Sequence, residues 1–206
     1  MKFGWATALV GAATAIFLHG NADAAPVTLD FESFANAPVG SGIRSQGFTL
    51  NENGFVLNTS AGFGFASYTS NSVFYTGSVA MFANQSAATV LLTQDGGGVF
   101  SIESIALATT NFLPSGNPLV FTGTRSDTSI VQQAFSYDET MQVYSFLPGF
   151  TDLVSLSWTQ DPTNNVQFDN IVVDNAPVQV SAPGAALLFG SLVPAFFAAR
   201  RARRTA

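Results

Sequence analysis

Between Ala25 and Asp174 the chain holds twelve carboxylates, the guanidiniums of Arg44 and Arg125, and no histidine, lysine or cysteine. That inventory closes most reaction chemistry. A hydroxyl or thiol nucleophile needs a basic partner, and both imidazole and amine are missing. Metal sites built on imidazole or thiolate are excluded for the same reason. A carboxylate pair remains, and two acids are enough to hydrolyse a glycosidic bond. Twelve acids, however, offer many pairs without marking one. Gly96-Gly97-Gly98 is not followed by Lys-Ser/Thr, so it is no phosphate loop and reads as a hairpin turn.

Oxygen ligands suit a hard cation such as Ca²⁺. Two segments stand out. One is Leu29-Asp30-Phe31-Glu32 near the start, the other Gln167-Phe168-Asp169-Asn170-Ile171-Val172-Val173 near the end. In the second, apolar residues occupy even positions (Val166, Phe168) and then odd ones (Ile171, Val173). The switch at Asp169-Asn170 predicts a bulge or a buried polar pair. The plainer reading is of surface acids and a turn-stabilising asparagine.

The elements that must carry these residues are strands. Val27, Leu29 and Phe31 alternate with polar neighbours, as do Val154, Leu156 and Trp158, and Tyr144 and Phe146. Period two with one polar face is a half-buried antiparallel strand. Turn signals separate the runs: Asn53-Gly54, Asp95-Gly96-Gly97-Gly98, Pro114 to Pro118, and Asp161 to Asn165. No helical periodicity is sustained in this region. Ten or eleven short strands predict an all-β fold, a jelly-roll-like antiparallel β-sandwich over 25–174, with phenylalanines filling the layer between its sheets. The stretch from Asn58 to Thr76 reads either as a long loop or as two weak edge strands. Four of its aromatics, Phe63, Phe65, Tyr68 and Tyr75, are either core or a binding platform.

The two ends differ from the middle. Met1-Lys2, an apolar run to Leu18 and the small-residue pattern Ala22-Asp23-Ala24 read as a secretory signal helix over 1–24, cleaved after Ala24. Residues 175–181 form a linker. Residues 182–199 carry no charge and are long enough, at about 1.5 Å per residue, to cross a bilayer core as a transmembrane helix. Arg200, Arg201, Arg203 and Arg204 then mark 200–206 as a cytoplasmic tail. The 206-residue chain has a net charge of −6 and only 10% charged residues. Without its ends the domain carries −10, from the twelve acids against two arginines. So acidic a surface disfavours nucleic acid and anionic headgroups and suits neutral glycans, cations or basic partners.

A proline-bearing motif, an apolar helix and a terminal arginine cluster together resemble the PEP-CTERM family of bacterial sorting signals and its VPLPA-like variants. The motif position is Val180-Ser181-Ala182-Pro183, in which the valine and the last proline fit V-P-E-P, while Ser181 and Ala182 depart from it. The resemblance implies export by the Sec machinery across the inner membrane of a Gram-negative bacterium. It also implies a transient membrane anchor and processing by an exosortase, a membrane transpeptidase, leaving the protein at the cell surface or outside the cell. The arrangement of Asp30-Phe31-Glu32 with Phe168 to Val173 is also similar to domains that precede such tails, and to the framing strands of jelly-roll carbohydrate-binding modules. That likeness implies a structural Ca²⁺ at Glu32 and Asp169, with Asp30 beside them.

The reading that follows is a non-enzymatic exported protein whose β-sandwich binds glycan or exopolysaccharide. Two alternatives stay open. One is an extracellular polysaccharide hydrolase using paired carboxylates, the other a structural matrix subunit on a plain stop-transfer anchor.

Overall fold

The computed structural model describes residues 25–37, 39, 42–110 and 117–175. The expected signal helix, membrane helix and arginine tail lie outside these residues, as does the expected linker apart from its first residue, Asn175, which ends the last strand. Among the described residues no helix is long and apolar enough to cross a membrane.

Thirteen strands follow one another: β1 (Val27–Leu29), β2 (Ile43–Gly47), β3 (Thr49–Glu52), β4 (Phe55–Thr59), β5 (Phe65–Tyr68), β6 (Met81–Ala83), β7 (Thr89–Gln94), β8 (Phe100–Thr109), β9 (Leu119–Arg125), β10 (Ile130–Phe135), β11 (Gln142–Ser145), β12 (Leu153–Thr159) and β13 (Val166–Asn175). All their pairings are antiparallel. Sheet I runs β2-β5-β6-β13-β8-β11, with β1 sharing the β6 side of β13. Sheet II runs β3-β4-β7-β12-β9-β10. The two meet directly at one residue pair, Leu153 with Phe100. The expected β-sandwich is therefore present.

Aromatic side chains join the sheets. Trp158 of sheet II meets Phe168 of sheet I edge-on at 5.1 Å, and Phe55 meets Phe100 in the same way at 5.4 Å. Phe121 touches Trp158 and Phe146, and Phe168 reaches Phe31 and Phe65. Fully burying a phenylalanine contributes about 1.5–3 kcal/mol, so this chain of rings is a major part of what holds the sheets together.

The first and last strands pair as expected, Val27 opposite Val173 and Leu29 opposite Ile171. The phase switch in β13 is a bulge: Asn170 adopts φ 46° and the register with β8 shifts between Asp169 and Val172. A second shift follows between Val172 and Val173. The two compensate, so Val166, Phe168, Ile171 and Val173 all stay in the core.

One turn expectation holds and two expectations change. Asn53-Gly54 does make a tight hairpin, with both φ angles positive. Gly96–Gly98 does not: β7 and β8 lie in different sheets, so this segment is an arch between them. Asn58 to Thr76 contains one strand, β5, placed inside sheet I between β2 and β6 rather than at an edge. Its Phe65, Ala66 and Ser67 are buried on both faces, which erases the alternation that marks a half-buried strand. The chain from Thr69 to Ala80 then crosses the outer face of sheet I. There Phe82, Ala106 and Ala108 are buried although they point away from the core.

Candidate functional site

The cleavage residues Ala22 and Ala24, the motif Val180-Ser181-Ala182-Pro183 and Arg200, Arg201, Arg203 and Arg204 lie outside the described residues. Asp30, Glu32 and Asp169 lie within them. The β1–β13 pairing brings the two acidic segments together. Phe31 leaves β1 in the left-handed region at φ 57°, and Glu32 opens a 3₁₀ turn, Glu32–Phe34, rather than continuing the strand.

Glu32 and Asp169 hold neighbouring residues of the crossing segment. Val79 N–H donates to Glu32 Oε1 at 2.9 Å, and the Ser78 hydroxyl donates to Asp169 Oδ2 at 2.5 Å. Asp169 also accepts the Asn170 N–H at 2.7 Å. Burial pushes its carboxyl up to about 6, and the charges of Glu32 and Asp30 add to the rise. A fourth acid, Glu52, was not singled out from the sequence. Both its oxygens accept the Phe31 N–H, at 3.0 and 3.1 Å. Burial raises its carboxyl to about 7, and Asp30 contributes both a hydrogen bond and repulsion. Because Glu52 falls in the inward phase of β3, alternation alone could have marked it as a buried acid needing a partner.

Among the described residues no group of three or more His, Asp or Glu side chains is arranged to hold a metal ion. Glu32 and Asp169 each already accept a hydrogen bond from the crossing segment, so a cation would have to compete for their oxygens. The remaining oxygens of a calcium shell would have to be backbone carbonyls or water.

The outer face of sheet II has a different character. Leu50, Leu57, Leu92, Phe121, Leu156 and Trp158 are buried and face the core, on β10 Phe135 is buried with Val131 and Gln133 half-buried, and the outward residues are not buried. One row of outward residues crosses the whole sheet by direct pairing, Thr49–Asn58–Leu91–Ser157–Thr122–Gln132. The flanking outward positions are Asn51, Val56, Thr89, Thr93, Ser155, Thr159, Val120, Thr124, Ile130 and Ala134. None is charged or aromatic. Hydroxyls and amides are laced across strands: Thr49 Oγ1 donates to Asn58 Oδ1 at 2.7 Å, Gln132 Nε2 donates to Thr122 Oγ1 at 3.0 Å, and the hydroxyls of Thr89 and Thr159 share a bond at 3.2 Å.

A groove of about 540 Å³ opens on this face between β9 and β12. Val120, Thr122, Ser157 and Thr159 line it along the strands, with Asn117-Pro118 on one side and Asp161-Pro162 on the other. Asn117 Nδ2 bridges to Asp161 Oδ2 at 3.4 Å. Burial opposes ionisation of Asp161, yet hydrogen bonds from Thr163, Asn117 and Asn164 together hold its carboxyl below the usual range. A smaller cleft of about 340 Å³ lies over sheet I between Val73–Thr76 and Glu139–Met141, with Gln167 and Thr109 also lining it.

Four of the aromatics of the 58–76 stretch, Phe63, Phe65, Tyr68 and Tyr75, divide. Phe65 is core, Tyr68 is half-buried and stacks on Phe82, Tyr75 lines the smaller cleft, and Phe63 is 74% exposed.

No protein-family model and no curated protein matches this chain. Among solved structures it is similar to two variants of a family 29 carbohydrate-binding module made to probe ligand recognition. Their identities are 14% and 12% and their TM-scores 0.41 and 0.39; they cover 73% and 74% of this chain and 92% and 93% of their own. It is also similar to the N-terminal modules of a Clostridium thermocellum endo-1,4-beta-D-xylanase complexed with xylohexaose. There the identity is 18% and the TM-score 0.35, over 75% of this chain and 29% of that one. Likeness at this level is loose, and the function below rests on this chain's own residues.

Proposed function

We propose that this chain is an exported, non-catalytic jelly-roll module that binds neutral polysaccharide on the outer face of sheet II. The observation that carries the reading is the contrast between that face and the domain around it. A domain of net charge −10 presents one six-strand face without a single outward charge. At about 4.8 Å between strands the face is about 24 Å across. It offers hydroxyls, amides and short aliphatic groups, which match the hydroxyl edges and C–H faces of a neutral polymer. An anionic polymer would meet the long-range repulsion of the domain.

The ends supply the address in this proposal. Residues 1–24 direct Sec export, 182–199 hold the chain in the membrane for a time, and an exosortase acts near Val180–Pro183. The product is a cell-surface or extracellular protein of a Gram-negative bacterium. A calcium ion bound by Glu32 and Asp169, with Asp30 nearby, would lock the crossing segment at Ser78-Val79.

The hydrolase reading would need its acid pair to face a substrate. Glu52 and Asp169 are the acids with raised proton affinity, but Glu52 is tied to the Phe31 N–H and Asp169 to the Ser78 hydroxyl, and they line neither cleft. Affinity electrophoresis of the mature protein through gels holding neutral or anionic polysaccharides tests the proposal, with a reducing-sugar assay alongside. Retardation by a neutral polymer without release of sugar is expected. Sugar release would move the function to the hydrolase. Retardation by no polymer, with self-assembly of the protein, would move it to a structural matrix subunit.

A further inference from the structure

The outer face of sheet II carries no ring, yet two phenylalanines are left in solvent nearby. Phe63 is 74% exposed and Phe48 58%, while the other described phenylalanines are buried or half-buried. The two flank one close contact between backbones. Gly64, at φ 71°, lies so near Gly47 that an added Cβ would stand 2.4 Å from the Gly47 carbonyl oxygen; Gly47 is itself left-handed at φ 82°. Only glycine fits this crossing, and the side chains on either side of it, Phe48 and Phe63, are turned outward.

Both belong to the same end of sheet II as the groove. Phe48 directly precedes Thr49, the first residue of the central row, and its carbonyl accepts the Thr59 N–H at 3.2 Å. The Phe63 loop connects to the groove wall through hydrogen bonds. Gly62 N–H donates to Gln85 Oε1 at 2.5 Å, Ala87 N–H donates to the Asp161 carbonyl at 3.4 Å, and Asp161 Oδ2 accepts from Asn117. The rim of the sheet thus runs from the exposed rings to the polar groove.

We propose that Phe48 and Phe63 are the aromatic anchor for the same polysaccharide chain, which runs along this rim from the rings to the groove. The inference rests on the glycan-binding reading and adds to it the residues that set affinity. A phenylalanine ring has no polar group, so it takes only apolar surface, and a sugar ring presents such a surface on its C–H face. The hydroxyl edges then fall to the threonines, serines and amides of the face. An anionic bilayer is disfavoured as occupant by the domain's charge, and a second copy by the repulsion between two such domains.

The test uses the full chain recovered from the exported fraction, with cellulose, xyloglucan and galactomannan as probes and cosedimentation or gel retardation as readout. Wild type, Phe48→Ala, Phe63→Ala, the double alanine variant and Phe63→Trp are compared with Ser157→Asp on the face. Each alanine is expected to weaken binding about tenfold, equivalent to ~1.4 kcal/mol. Phe63→Trp should retain binding, which separates loss of the ring from loss of fold. Undiminished binding by the double alanine variant, with binding lost in Ser157→Asp, would overturn the anchor and leave the face intact. Wild type that binds none of the probes would overturn the reading beneath it. Retention of wild type on neutral phosphatidylcholine vesicles, lost in the double variant, would assign the rings to lipid and also overturn the proposal.

Discussion

Glu32 and Asp169, from opposite ends of the folded domain, hold adjacent residues of one segment, Val79 through its N–H and Ser78 through its hydroxyl. The clamp closes the first and last strands onto the chain that crosses sheet I. It also places two acids, with Asp30 and Glu52 beside them, where their charges add unfavourably. Two outcomes follow, one for protons and one for calcium.

Protons stabilise this corner. Burial raises Glu52 to about 7 from 4.5 and Asp169 to about 6 from 3.8. The folded state therefore holds more protons than the unfolded one between those limits, and stability falls as pH rises through them. The contribution is complete below pH ~4 and is lost by pH ~7. The melting temperature should decline from pH 5 to pH 8 in calcium-free buffer. Glu52→Gln should flatten that decline, and an equal slope in the variant would show that Glu52 does not carry it.

Calcium would act against the same protons. If Glu32 and Asp169 bind the ion, millimolar Ca²⁺ at pH 7.5 should raise the melting temperature and chelation should reverse the rise, since a ligand of the native state stabilises it. Glu32→Gln and Asp169→Asn should each abolish the response. A melting curve indifferent to calcium and chelator would remove the site.

Legibility from sequence followed burial. Strands with one wet face, such as β12 with Leu156 and Trp158 inward and Ser157 outward, announce themselves by alternation. So did the bulge at Asp169-Asn170, because a bulge must shift the apolar phase. β5 was obscured because the core on one side and the crossing segment on the other bury both its faces. The arch at Gly96–Gly98 has the same glycines a hairpin would have, and only the pairing of β7 with β4 and β12 distinguishes them. The uncharged face could not be read strand by strand. It exists only once Thr49, Asn58, Leu91, Ser157, Thr122 and Gln132 are set in one row.

Processing at both ends is checked by one mass. The mature protein from its native host should begin at Ala25 and lack the segment beyond about Pro183. A chain that keeps Met1–Ala24 would refute the leader. A membrane-embedded chain that keeps residues 184–206 would indicate a plain anchor rather than a sorting signal.

Salt separates the proposed binding mode from an electrostatic one. An uncharged face on a neutral polymer has no charge pair to screen. Retardation by neutral polysaccharide should stay constant as salt is raised from low to about half molar, well beyond the range in which exposed charges act. A steep loss with salt would point to Arg44, Arg125 or the acidic surface instead of sheet II.

The central claim is that the charge-free face of sheet II is where polysaccharide lies, and Thr122→Asp and Ser157→Asp test it most directly. Each puts one carboxylate at the middle of the face, on neighbouring strands, at an outward position that leaves the core untouched. With melting temperature unchanged, each should weaken binding to neutral polysaccharide by about tenfold. Binding by both variants equal to wild type would contradict the account.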